Sequence, residues 1–324
     1  MKRESRGQAK RVPFAQILAD IREEDRPLKR SQLRRLSDMS TEDDRAFREL
    51  WPDLPTARRR QMMEWLAKVC ELDFAVDFEP LLQLGLQDPD AEVRLAAVAG
   101  LWDNENAALV PQLLTLLTSD PEVQVRSAVA QTLGHYVLLA EVGKLPAALG
   151  ERMQTRLLAI IDRGDREPVD VRRRAIEALS YSSHDRVAGL ISEAYASADP
   201  GLRASAVFAM GRTADNRWAG VVQQELSSGS SSMRYEAARS AGELEMIDAV
   251  PRLIEMMEDD DSPQVQRAAT WALGEIGGQA AQSALERVLA SPAEYLHDVA
   301  DDALHTLVML GDSLELPLFE LDEA

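Results

Sequence analysis

The chain has 324 residues, 45% of them apolar and only 5% aromatic, and a net charge of −19. That is enough apolar material for a sizeable core, but one that must be built from Ala, Leu, Val and Ile. The acidic excess disfavours nucleic-acid phosphate and anionic lipid as partners, and a single cysteine excludes an intrachain disulfide.

The charge is unevenly placed. Residues 1–70 hold 17 Lys and Arg against 12 Asp and Glu, a net of +5, which leaves −24 for the rest. The opening MKRESRGQAKR is basic with no apolar run behind it, so it does not read as a signal peptide. Residues 1–12 are expected to form a disordered basic arm, and residues 13–75 divergent helical hairpins that cap the rest of the chain. Cys70 ends an amphipathic stretch beginning at Met62 and reads as a small buried residue rather than a reactive thiol. No segment approaches the roughly 18 apolar residues of a membrane span. With one cysteine and no such span, the expected compartment is the cytoplasm.

Beyond residue 76 one phrase recurs: Val93-Arg94-Leu95-Ala96-Ala97, Val125-Arg126-Ser127-Ala128-Val129, Val171-Arg172-Arg173-Arg174-Ala175, Leu202-Arg203-Ala204-Ser205-Ala206 and Met233-Arg234-Tyr235-Glu236-Ala237. Looser copies begin at Val265 and Leu296. With the Arg slot as position zero, the copies fall at 94, 126, 172, 203, 234, 266 and 297. The spacing is 31 or 32 residues except for one interval of 46, which places an insertion near 139–153. Position −1 is always apolar, position 3 is Ala in six of seven copies, and position 7 is Leu, Met or Ala. Offsets of −1, 3 and 7 lie on one face of a helix. A second apolar helix precedes each copy, and turns such as Asp88-Pro89, Asp120-Pro121, Asp199-Pro200 and Ser262-Pro263 join the two. Asp and Ser suit the cap of the coming helix and Pro its first turn. In the N-terminal region, Arg59 to Leu66 fits the same helix with Arg59 at zero, and Lys29 to Leu36 fits more loosely.

The unit of helix, Asp-Pro turn and helix resembles the HEAT repeat, in the short bacterial form shared with the phycobilisome-lyase group; the stretch from Asp120 to Gly134 follows its DPxVRxAAxxALG motif closely. The resemblance covers residues 76–311. It implies an all-α HEAT-repeat α-solenoid, a right-handed superhelix of about nine helical hairpins, whose core runs the length of the stack because one hairpin cannot bury both its faces. It also implies that the second helix of each pair lines the concave side.

On those second helices, positions 1, 5 and 9 lie opposite the core face. The central copies place there Arg173, Glu177, Tyr181, Phe208, Arg212, Tyr235, Arg239, Glu243, Arg267, Trp271 and Glu275. Aromatics interleaved with Arg are the usual material of binding hot spots. Either these side chains form a surface for a peptide or protein segment, or the rings pack on neighbouring repeats. The Arg at position zero is read as a ladder to turn carboxylates such as Asp88, Asp120 and Asp199, in preference to a row of anion ligands. Gly at position 8 (Gly134, Gly211, Gly242, Gly274) points to close packing or an exposed backbone stretch. Trp218 reads as a core residue of an outer helix, and Gly277-Gly278 as a helix stop.

Catalytic signatures are missing. Deoxyhypusine hydroxylase, an enzyme of similar repeats, holds two irons through His-Glu dipeptides; here His135, His184, His297 and His305 are followed by Tyr, Asp, Asp and Thr. His297 and His305 with Asp298, Asp301 and Asp302 read as a solvated acidic face rather than a metal site. The basic groove of HEAT-like DNA glycosylases is absent too. The reading is a non-catalytic interaction scaffold, a monomer with a protein or peptide partner, no cofactor, no metal, no nucleic acid and no membrane. The alternative is a bilin lyase-like or enzyme-associated protein. The tail, residues 312–324, alternates acidic and apolar residues and reads as cover for the last repeat or as a linear motif.

Overall fold

The computed structural model describes residues 12–23, 29, 32, 34–73 and 75–314. The expected basic arm lies outside the described residues, apart from residue 12, and so does the tail beyond residue 314. All described regular structure is helical, in 17 α-helices with short 3-10 turns. In chain order these are α1 (Phe14–Arg22), α2 (Thr41–Leu50), α3 (Thr56–Leu72), α4 (Glu79–Gly85), α5 (Ala91–Gly100), α6 (Val110–Ser119), α7 (Val123–Glu141), α8 (Ala147–Ile161) and α9 (Val169–Leu179). Next come α10 (Val187–Tyr195), α11 (Pro200–Arg212), α12 (Ala219–Glu225), α13 (Ser231–Glu243), α14 (Val250–Asp259), α15 (Pro263–Ile276), α16 (Gln279–Leu289) and α17 (His297–Leu314). The chain forms two compact units, residues 1–136 and 137–324. No described helix is long and apolar enough to cross a membrane.

All seven Arg-slot positions fall on the second helix of a pair, from α5 to α17 by odd numbers. Residues at −1 and 3 are buried in every copy, and those at 7 in six; Leu304, on the last helix, is half-buried because no further repeat covers it. In the second unit, α9, α11, α13, α15 and α17 each pack on the next, and α10, α12, α14 and α16 back them. Small residues at position 3 let the layers close; each buried Leu or Val elsewhere in them contributes roughly 1.5–3 kcal/mol. Trp218 is buried, as its sequence context suggested. Gly277 and Gly278 end α15 with φ of 76° and 89°, a backbone region open to glycine and strained for other residues.

The N-terminal region departs from the pattern in one informative way. Position −1 of α3 is Arg58, which is only 2% exposed. Its guanidinium donates to the carbonyls of Asp20 and Ile21 in the last turn of α1, at 3.2 and 3.0 Å. A cation there satisfies helix-end carbonyls and complements the helix dipole. The looser copy from Lys29 to Leu36 falls partly outside the described residues and ends in a 3-10 turn, Arg35–Ser37.

The turns carry the Arg ladder, with a finer register than the sequence pattern alone conveys. Arg59 bonds Asp88, Arg94 bonds Asp120 and Arg234 bonds Asp260, each through Nε and one terminal nitrogen. Each of these Asp residues stands at position −6 of the next copy. Each also accepts the backbone N–H two residues on, at 2.9 Å. Asp199 is not part of the ladder. It stands at −4 and caps α11 by accepting the N–H of Leu202 at 2.8 Å, as Asp90 caps α5. Where −6 of the next copy is Ser, the ladder bond is absent: Arg203 donates to the carbonyls of its own turn, Ser197 and Ala198, at 3.0 Å, and Arg172 turns to the Asp165 carboxylate at 3.3 Å. Pro200 and Pro263 open their helices, whereas Pro89 and Pro121 lie in the turn before theirs.

Candidate functional site

The residues named from positions 1, 5 and 9 all belong to α9, α11, α13 and α15 or the residue pairs just after them, and they form a continuous band. None is fully exposed: ten are half-buried and Glu177 is buried. The Arg212 guanidinium lies 5.4 Å from the centre of the Tyr181 ring and 5.0 Å from that of Phe208. Its Nη2 is 2.8 Å from Glu243. Arg239 lies 4.7 Å over the Trp271 ring and 3.8 Å from the same carboxylate. Arg–aromatic contacts of this kind contribute about 0.5–2 kcal/mol, more as water is excluded. Tyr181 and Trp271 thus each pack on an Arg of a neighbouring repeat and Phe208 on one of its own helix, and all three rings remain partly accessible. At the ends of the band, Arg173 is held by Asp170 at 2.9 Å and Arg267 by Asp298 at 2.9 Å.

The glycines at position 8 explain how side chains of one repeat reach the next. A Cβ on Gly211 would lie 2.7 Å from the Glu243 carboxylate, and one on Gly242 would lie 2.9 Å from the Trp271 ring. On Gly274 it would meet Ala303 at 2.6 Å. Of the two readings of this slot, close packing holds at these three positions, and at two of them the close neighbour is a band residue.

Beneath the band lies a polar layer that positions 1, 5 and 9 did not include. It comes from position 2, where the Ala or Val of other copies is replaced by Arg174, Ser205 and Glu236 in three successive ones. Arg174 donates to Glu177 at 2.6 Å, and Ser205 donates to its other oxygen at 2.5 Å. Glu236 has a buried Oε2 with no hydrogen-bond partner, and the buried Nε atoms of Arg212 and Arg239 have none either. Burial, with the Glu177 charge second, pushes the Glu236 carboxyl up to about 7. Burial also raises Glu243 and Glu275 above the usual carboxylate range. Three substitutions at one slot in adjacent copies were the signal that would have revealed this layer.

Other candidates lose their chemistry in the structure. Burial pushes the Cys70 thiol up to about 11, which keeps it protonated and unreactive. Asp298, grouped with His297 and His305 in the sequence, is taken by Arg267, whose bonds hold its carboxyl down at about 2. Among the described residues no group of three or more His, Cys, Asp and Glu is arranged to hold a metal ion.

The family model for HEAT repeats matches residues 78–151 and 219–307, just over half of the chain. The chain belongs to the HEAT-repeat family. HEAT repeats thus account for both the Arg-slot register and the paired helices. No curated protein matches the sequence. Among solved structures, the complex of CpcE and CpcF of phycocyanin lyase from Nostoc sp. PCC7120 is similar with a TM-score of 0.53 at 15% identity, covering 95% of this chain and 98% of that one. Yeast importin-beta is similar with a TM-score of 0.50 at 15% identity, over 91% of this chain and 46% of that one. At such identities the likeness is one of HEAT fold. The stretch between the two matched segments, residues 152–218, contains Arg173, Glu177, Tyr181, Phe208 and Arg212.

Proposed function

We propose that this HEAT-repeat protein is a non-catalytic scaffold that binds a peptide or protein segment along the band from Arg173 to Glu275. The observation that supports this reading most is the run Tyr181, Arg212, Phe208, Glu243, Arg239 and Trp271, from the turn after α9 across α11, α13 and α15, half-buried and joined by cation–π and ionic contacts. Such a band is preorganised: its rotamers are fixed before a partner arrives, so little side-chain entropy is lost on binding. Its unspent polar atoms, Arg212 Nε, Arg239 Nε and Glu236 Oε2, give a partner's polar groups something to pair with.

The test is a Phe208→Ala, Tyr235→Ala, Trp271→Ala triple variant in affinity purification from the native cell. Proteins that copurify with the wild-type chain should be lost from the variant while its helical circular dichroism is kept. An unchanged set of partners on a folded variant would refute the reading.

A further inference from the structure

The band has a charge that its own residues do not neutralise. Its inner part holds four carboxylates, Glu177, Glu236, Glu243 and Glu275, against three guanidiniums, Arg174, Arg212 and Arg239. Arg173 adds no surplus, since Asp170 holds it at 2.9 Å. Buried oxygens without a hydrogen bond remain on two of these carboxylates, Glu236 and Glu243, and of the two Glu243 has the Arg212 and Arg239 guanidiniums within 4 Å. Arg174 is spent on Glu177 at 2.6 Å, and Arg212 on Glu243 at 2.8 Å. Arg239 is stacked on Trp271 and shared with Glu243. Glu236 is left with a buried oxygen that accepts nothing. A buried carboxylate oxygen without a donor is costly to the fold. Of the three polar residues at a slot that elsewhere holds Ala or Val, Arg174 and Ser205 are bonded to Glu177, and Glu236 is the one whose place packing does not explain.

We propose that Glu236 is the acceptor for a lysine or arginine side chain of the polypeptide segment bound on the band. This rests on the reading of the band as a binding surface and adds the chemistry of its ligand. The aliphatic stem of such a side chain would lie along the Tyr235 and Trp271 side of the band, with its cation completing the charge balance. The groups acting most strongly on Glu236 are Glu177 and Arg174 from α9 and Arg239 and Glu243 from its own helix. A cation arriving there lowers the proton affinity of the carboxyl, so binding releases a proton near neutral pH and is weaker at pH 6 than at pH 8.

The experiment is selection of a randomised dodecapeptide phage library on the full-length protein, followed by a double-mutant cycle. The selected peptides are remade with their basic residue replaced by norleucine and measured against wild type, Glu236→Gln and the triple band variant. The expected result is a Lys or Arg at one fixed place in the selected peptides. Its replacement should weaken binding about tenfold to wild type but no more than about twofold to Glu236→Gln. Band-dependent peptides with no fixed basic residue, or an equal loss on both proteins, would overturn the assignment of Glu236 and leave the band as a binding surface. Peptides that bind the triple variant as well as wild type, or no selected peptides, would overturn both.

Discussion

The turn ladder and the inner-helix band are built from the same two groups, guanidinium and carboxylate, and end in opposite conditions. In the ladder, Asp120 takes two nitrogens of Arg94 and the N–H of Glu122, all within 2.9 Å, and Asp260 is bonded in the same way. In the band, Glu236 takes nothing at Oε2, and two arginines keep Nε atoms unbonded. Closed pairing is what structure requires, since a buried polar group is tolerated only with its partners in place. Open pairing at half-buried Glu236 contributes no such hydrogen-bond stabilisation to the isolated protein.

This contrast can be broken at either end, and the largest effect belongs to the ladder. Asp120→Ala strands a buried Arg94 and should lower unfolding stability by about 3–5 kcal/mol, whereas Asp199→Ala removes only a helix cap and should cost about 1 kcal/mol. Chemical denaturation followed by circular dichroism separates the two. Equal losses would mean that position −6 has no special status. Gly242→Ala comes next. Its Cβ would meet the Trp271 ring at 2.9 Å and the Ala272 backbone at 3.0 Å. A cost of about 1–3 kcal/mol with a shifted tryptophan emission is expected, because backbone cannot move aside as a flexible side chain can.

Glu236→Gln acts in the opposite direction. The folded carboxyl titrates near 7, above the usual value of 4.5, so the folded state holds a proton that the unfolded chain gives up. Stability from this group is present at low pH and is lost as pH rises from 4.5 through 7. The neutral amide should therefore stabilise the protein on the order of 2 kcal/mol at pH 8 and leave it unchanged at pH 4. A destabilised variant at pH 8 would show that Glu236 has a partner in the fold. The smallest effect is expected from Arg267→Ala, which breaks an exposed pair with Asp298; its melting temperature should match wild type in 1 M salt.

The sequence made the repeat legible because burial acts on every copy alike. Val93, Ala97 and Leu101 answer the same packing demand as Val265, Ala269 and Leu273, and all six are buried. The ladder was legible in kind but not in register: Asp88 and Asp199 look alike beside Pro, yet only the two-residue offset decides which meets an Arg and which caps a helix. Phe208, Arg212, Arg239 and Trp271 could be placed on one face by spacing alone. Their mutual stacking could not, because it depends on how far one repeat is turned against the next. Arg58 was hidden for a different reason. It occupies an apolar slot and is satisfied by carbonyls of α1, thirty-seven residues away in sequence. Glu236 sits one slot inside the face that the pattern marked as accessible.

The most direct test of the band places a photo-crosslinking p-benzoylphenylalanine at Phe208 in the band, at Gly189 on the outer helix α10, and at Gln131, an exposed position-5 residue of the other unit. Irradiation in the native cell should join a partner to the chain from position 208 and not from 189. A partner captured equally from 189, or only from 131, would contradict the account.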